Sequence, residues 1–185
     1  SVEYWGPNGM VFFRNIQLRY TPITGENHFA IALEKPGGSG DPGVRVDEPL
    51  AADLQGRFPL PDVTAQYRRS GDWGHYQVAG ILRYAEIDDL NTTPVDESDS
   101  VLGWGLNLSS NIRFDRDVLR LQLVFGEAIQ NYMNDGSVDT GATGTGSSDF
   151  VEELPIVGLV AFYDITWSDK YSGSIGYSMV DIDNS

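Results

Sequence analysis

Ten of the twelve basic side chains in this 185-residue chain are arginine, and five of those ten, Arg19, Arg68, Arg83, Arg113 and Arg120, share a feature of position. Each falls within a stretch of alternating apolar and polar residues, on the polar side of the alternation. A guanidinium is a permanently charged planar fork that holds carboxylates and phosphates through paired hydrogen bonds, so several on one surface suit the binding of small anions. The same arrangement suits plain packing of a polar wall against inward carboxylates such as Glu34, and both readings stand at this point. Other chemistry is poorly represented. His28 and His75 are the only histidines, and neither has a partner at metal-ligand spacing. The absence of cysteine removes disulfides, thiolate metal sites and cysteine nucleophiles together. Residues 96–100 and 181–185 are acidic but lack the sixth-position Gly and distal Glu of a calcium loop, and the glycines of 141–146 lack the Lys-Ser/Thr of a phosphate loop. No Ser-His-Asp set stands out. No catalytic residue, metal or cofactor is assigned, and the chain is not read as an enzyme.

The arginines need a scaffold that keeps them on one face, and residues 102–125 show what it is. From 102 to 114 the even positions are Leu102, Trp104, Leu106, Leu108, Ser110, Ile112 and Phe114, while no odd position carries a large hydrophobe. Period-two alternation gives a strand one apolar and one polar face. After Asp115, Arg116 and Asp117 the pattern returns with Leu119, Leu121, Leu123 and Phe125 opposite Arg120 and Gln122. Thirteen residues of alternation exceed the roughly five or six of a soluble strand and suit the roughly nine to eleven of a tilted strand crossing a bilayer.

The same pattern predicts eight strands, near 11–20, 28–35, 63–69, 75–84, 102–114, 118–133, 155–167 and 171–179. Arg14 falls on the apolar side of the first, which calls for a bulge or a neighbouring subunit. Connections at 21–27, 70–74, 115–117 and 168–170 are short, those at 36–62, 86–101 and 134–153 are long, and the two kinds alternate. All short turns therefore lie at one end of an antiparallel meander. With short turns at one rim and long polar loops at the other, the fold expected is an all-β, up-and-down transmembrane β-barrel of the bacterial outer membrane, in a single domain over 1–185. Tyr20, Phe29, Tyr67, Tyr76, Phe114, Trp167 and Tyr171 would form an aromatic girdle at the short-turn rim, and Tyr84, Trp104 and Tyr132 a second one at the other.

The formal charge is −15, and 16 of the 27 acidic residues lie in the three long connections, where they are expected to be solvated. Such a surface excludes nucleic acid as a partner. Four of the arginines, Arg19, Arg68, Arg113 and Arg120, lie within three residues of a short turn and are expected in one cationic layer, with Arg83 higher. No apolar run reaches eighteen residues, a test to which barrel strands are invisible. The chain begins SVEYW, as a processed or truncated chain would. Barrels of this class begin and end at the short-turn rim, so at least one further strand is expected on each side, for an even total of ten or more. Two other classes compete: a soluble all-β sandwich binding carbohydrate or protein, and a barrel with a structural or adhesive role.

The segments FFRNIQLRYTP at 12–22, DWGHYQVAG at 72–80, SIGYS at 174–178 and DIDN at 181–184 resemble the DcaP-like family of outer-membrane porins, with a likeness that spans most strands and short turns. The resemblance implies a homotrimer of sixteen-stranded barrels in outer-membrane lipid, passing small dicarboxylate-like anions through an Arg-rich constriction. The chain lacks that family's amino-terminal helical segment, its first strands and its terminal aromatic-ended strand.

Overall fold

The computed structural model describes residues 6–38, 40–41, 54–90, 98–136, 138–142 and 151–183. Within them the strands are β1 (Gln17–Ile23), β2 (Asn27–Glu34), β3 (Gly40–Asp41), β4 (Leu54–Arg57), β5 (Asp62–Gly71), β6 (Gly74–Asp89), β7 (Asp99–Phe114), β8 (Asp117–Glu127), β9 (Thr140–Ala142), β10 (Val151–Glu153), β11 (Pro155–Thr166) and β12 (Ser172–Ile182). Eight of them run in the order β1-β2-β5-β6-β7-β8-β11-β12 in one sheet, every neighbouring pair antiparallel, with β4 added beside the far end of β6. β3, β9 and β10 form a separate small sheet. The expected eight-strand antiparallel meander is present. β1 and β12 are its edges, and no ladder joins them among the described residues.

The alternation sets the faces as expected. Along β7, Leu102, Trp104 and Leu108 are exposed, whereas Val101, Gly103 and Gly105 are buried. The apolar positions of the sheet thus look away from the protein, and the polar and small ones look towards it.

Three boundaries differ from expectation. β1 begins at Gln17 rather than near 11 and continues through Thr21 and Pro22, which an edge strand with an interrupted register between Tyr20 and Ile23 tolerates. Arg14 therefore lies outside any strand, and the face conflict it posed disappears. β8 stops at Glu127 rather than near 133, because Ala128 adopts φ 54 and turns the chain inward. β6 and β7 reach Asp89 and start at Asp99, deep into what reads as loop, since their pairing persists to Ile87↔Asp99.

The inward-turning segment continues as a one-turn 3-10 helix, Gln130–Tyr132. It meets the N-terminal segment through a Val11↔Met133 bridge, and Phe12 N–H donates to the Tyr132 carbonyl at 3.0 Å. Gly9 packs on the backbone of Gly158 and Met179, on β11 and β12, yet by Gln17 the chain has reached β1. Eight residues span at most about 28 Å. In a flat sheet the same two points would be roughly 34 Å apart, from about 31 Å across the strands and about 13 Å along them. The sheet is therefore curved, and residues 9–16 cross its concave side. The core sits there: Val124, Ile129, Met133 and Ile156 are buried together, with Val11, Ile81, Val180 and Ile182 packed around them. Gly105 makes room for this insert, since a Cβ at that position would lie 2.5 Å from Cδ1 of Ile129.

Candidate functional site

The concave face carries all five arginines singled out from the sequence, in three different environments. Near the short turns the ladder registers place His28, Arg68, Gln77 and Ser109 in one row, and Ser70, His75, Asn111 and Arg120 in the next. Arg68, Arg113 and Arg120 all act electrostatically on His75, which puts their charges around one imidazole. Arg68 Nε donates to Ser70 Oγ at 3.1 Å, and Arg120 Nε to Asp164 Oδ2 at 2.8 Å. Arg113 is exposed. These three make a cationic layer at the short-turn rim.

Arg19 is not part of that layer. It pairs in register with Ala32, whereas Arg68 pairs with His28, four residues nearer the turn. That difference is about 13 Å along the strands. The expectation of one four-membered layer fails because β1 runs on to Ile23 and lifts Arg19 away from the turn.

Arg83 has a third fate. It is 5% exposed, so it is not a solvated pore-lining group. Its Nε donates to Asp62 Oδ2 at 3.1 Å, and its Nη1 to Asp139 Oδ1 at 2.9 Å and to the Ala128 carbonyl at 2.7 Å. Its Nη2 donates to the Gly37 carbonyl. The guanidinium carbon stands 5.2 Å from the centroid of the Tyr132 ring. The Tyr132 hydroxyl in turn donates to Asp62 Oδ2 at 2.7 Å, and burial together with that carboxylate pushes the phenol well above its ordinary pKa, so it stays a donor. One arginine thus ties the first connection, the β5 start and the inserted segment to β6.

Two further expectations change with it. Tyr132 belongs to this interior cluster rather than to an interfacial girdle, because the chain leaves β8 before reaching it. Asp62 and Asp139 are buried rather than solvated, and Asp99 accepts from the Val151 N–H at 3.0 Å, so part of the loop acidity is structural. The sequence held a signal for the insert. Gly103, Gly105, Gly126 and Gly158 cluster on the polar face, where a backbone must approach closely.

Between the insert and the wall formed by β1, β2, β5, β6 and β7 lies a cleft of about 240 Å³. Its polar lining includes Arg19, Glu34, Thr64, Asn107 and three glutamines, and its apolar lining includes Phe13, Tyr132, Ile81, Ile129, Met133 and several alanines. Thr64 Oγ1 donates to Glu34 Oε1 at 2.7 Å. Among the described residues no cluster of His, Asp and Glu is placed to hold a metal, and no helix is long and apolar enough to cross a membrane. In comparisons with known proteins the chain matches no family model, no curated protein and no solved structure.

Proposed function

We propose that this chain is part of an outer-membrane β-barrel through which small anionic solutes diffuse passively. The observation that carries the reading is the inversion of the sheet: its large hydrophobics stay exposed while its polar and charged groups turn inward. Leu18 is 75% exposed, Leu102 60%, Leu121 39% and Ile175 69%. A soluble monomer rarely exposes a contiguous apolar patch beyond a few hundred Å². The belt has the dimensions of a bilayer. From Leu102 to Phe114 is about 40 Å along β7, or roughly 30 Å in height at a typical barrel-strand tilt.

The belt's borders support the same reading. On β6 the outward positions pass from Leu82 and Tyr84 to Glu86 and Asp88, and Asp88 Oδ2 accepts from Arg57 at 2.7 Å. At the short-turn border Trp73 stacks on Tyr76 with centroids 6.0 Å apart, and at the other Trp104 Nε1 donates to Glu127 Oε2 at 2.9 Å. Aromatics with a wet polar tip are typical of membrane interfaces.

In this reading further strands close the sheet into a larger barrel, on the plan of the DcaP-like porins, and three such barrels associate. Arg68, Arg113 and Arg120 set an anion preference at the short-turn rim, where low-dielectric walls focus their field. Under a salt gradient across a planar bilayer, the full-length pore should give an anionic reversal potential, and replacing these three residues together with Gln should reduce it. A cation-selective pore, or an anion preference untouched by the triple replacement, would refute the assignment. A chain that is monodisperse without detergent would favour the soluble sandwich.

A further inference from the structure

The cleft beside the inserted segment holds two opposite charges that have no charged partner among the described residues. Among the described residues Arg19 makes no hydrogen bond or ion pair, and the Glu34 carboxylate accepts from the neutral hydroxyl of Thr64 alone. Both line the same cleft of about 240 Å³. Arg19 is opposite Ala32 and Glu34 opposite Gln17, so the two sit diagonally across the β1–β2 ladder. The Thr64 hydroxyl draws Glu34 towards β5, away from β1.

The charges nearby sharpen the polarity. On the Glu34 side, Asp62 lies directly opposite in the ladder and Asp139 lies beyond it, and Arg83 binds both of these carboxylates but not Glu34. Arg83 is committed to those two acids, so the Glu34 carboxylate keeps its own charge for an added cation at this end of the cleft. The Arg19 end favours an added carboxylate through the guanidinium fork. Amides of Gln17, Gln66 and Gln77 line the space, and the Asn107 Oδ1 is buried without a hydrogen-bond partner. Ala30, Ala32 and Ala79, with Phe13, give an apolar patch for a hydrocarbon side group.

We infer that this cleft is a binding site for small zwitterions of the amino-acid class, with the solute carboxylate on Arg19 and its ammonium on Glu34. The inference rests on the pore reading only for its physiological setting: the rim arginines admit solutes bearing a carboxylate, and the cleft selects those that also bear an amine. Binding itself needs no pore.

The test is calorimetric titration of the detergent-solubilised chain with L-leucine, N-acetyl-L-leucine, which lacks the ammonium, and L-leucinamide, which lacks the carboxylate. L-leucine should bind at least about tenfold more tightly than either truncated ligand. Arg19→Gln should remove the advantage of L-leucine over leucinamide, Glu34→Gln its advantage over the acetylated ligand, and Arg19→Lys should restore the first in part. Neither side chain forms an ion pair among the described residues, so the substitutions should leave the fold intact, as unchanged tryptophan fluorescence would register. Equal binding of the three ligands, or no binding of L-leucine to the correctly folded chain, overturns the site. Ion selectivity in bilayers is read separately. Zwitterion binding by a chain that forms no channel keeps this site and removes the pore, whereas an anion-selective pore that binds the three ligands alike removes only the site.

Discussion

Replacing Arg83 with Met should release the inserted segment while leaving the sheet intact. The substitution keeps apolar bulk and deletes a buried charge that donates four hydrogen bonds, to Asp62, Asp139, Ala128 and Gly37. Removing one partner from a buried ion pair costs about 3–5 kcal/mol, because the carboxylates left behind are desolvated and unneutralised. Here two are left, close enough to repel each other. The loss is local. The insert is bound to the wall by this cluster, by Gln130 and by the Ile129–Met133 core, whereas the β6–β7 and β7–β8 ladders do not depend on it. A local loss of 3 kcal/mol or more corresponds to opening that is roughly 10² to 10³ times more frequent. Hydrogen exchange measures this directly. The Tyr132 and Met133 amides, which donate to the carbonyls of Ile129 and Gln130, should lose about two to three orders of magnitude of protection, and ladder amides such as those of β7 should not. In a bilayer the same variant should conduct more. Unchanged protection at Tyr132 and Met133 would refute the tie, and equal loss of protection throughout β6, β7 and β8 would refute its locality.

Tyr132→Phe should weaken the same insert by about 1–2 kcal/mol, since it leaves Asp62 short of one donor, and should raise exchange at the insert less than Arg83→Met does. Gly105→Val should also loosen it, by about 1–3 kcal/mol of overpacking, because the added carbons would collide with Ile129; the same substitution at the exposed turn residue Gly25 is the wrong control, as its φ of 115 brings strain of its own. Leu108→Arg should destabilise the chain in lipid by about 2–4 kcal/mol and Leu102→Arg by less, the one being nearer mid-belt and the other at its border. Urea unfolding from lipid vesicles checks the last pair, and equal effects at both positions would mean that the outer face meets no bilayer.

Much of the fold was legible because it depends on a period. Leu102 to Phe114 fixes the faces of β7 by alternation alone, and the turn at 115–116 fixes its partner. Period two tells which side of a sheet a residue occupies, but not how high it sits or what crosses above it. Height was lost at Arg19, because Pro22 reads as a turn residue and the edge strand carries it through. The crossing was lost at residues 128–134, because Ala128, a residue with no turn signature, takes the left-handed conformation. Its carbonyl accepts from Arg83 and its N–H donates to the Leu154 carbonyl, so tertiary bonds hold a backbone angle that local propensity opposes. The cleft could not be read at all, since it exists only where that insert faces the wall.

The three fates of the inward arginines follow from what each meets above the same polar face. Near the short turns Arg120 pairs with Asp164, whereas Arg68 donates to the neutral Ser70 hydroxyl and Arg113 is exposed, so the charge of the last two is not bound to a carboxylate among the described residues. At Arg83 two acids and two carbonyls converge, and the charge is spent on holding the insert in place. Asp62 stands six residues from Arg68 along β5, about 20 Å, well beyond the Debye length of roughly 8 Å at physiological salt. The buried acids therefore cannot cancel the rim layer through water, and a net charge of −15 is compatible with a cationic constriction. Arg19 lies between the two regimes, high enough to sit beside the insert while Asp62 and Asp139 are taken by Arg83, and that intermediate height leaves a guanidinium without an ion pair among the described residues in the cleft that Glu34 also lines.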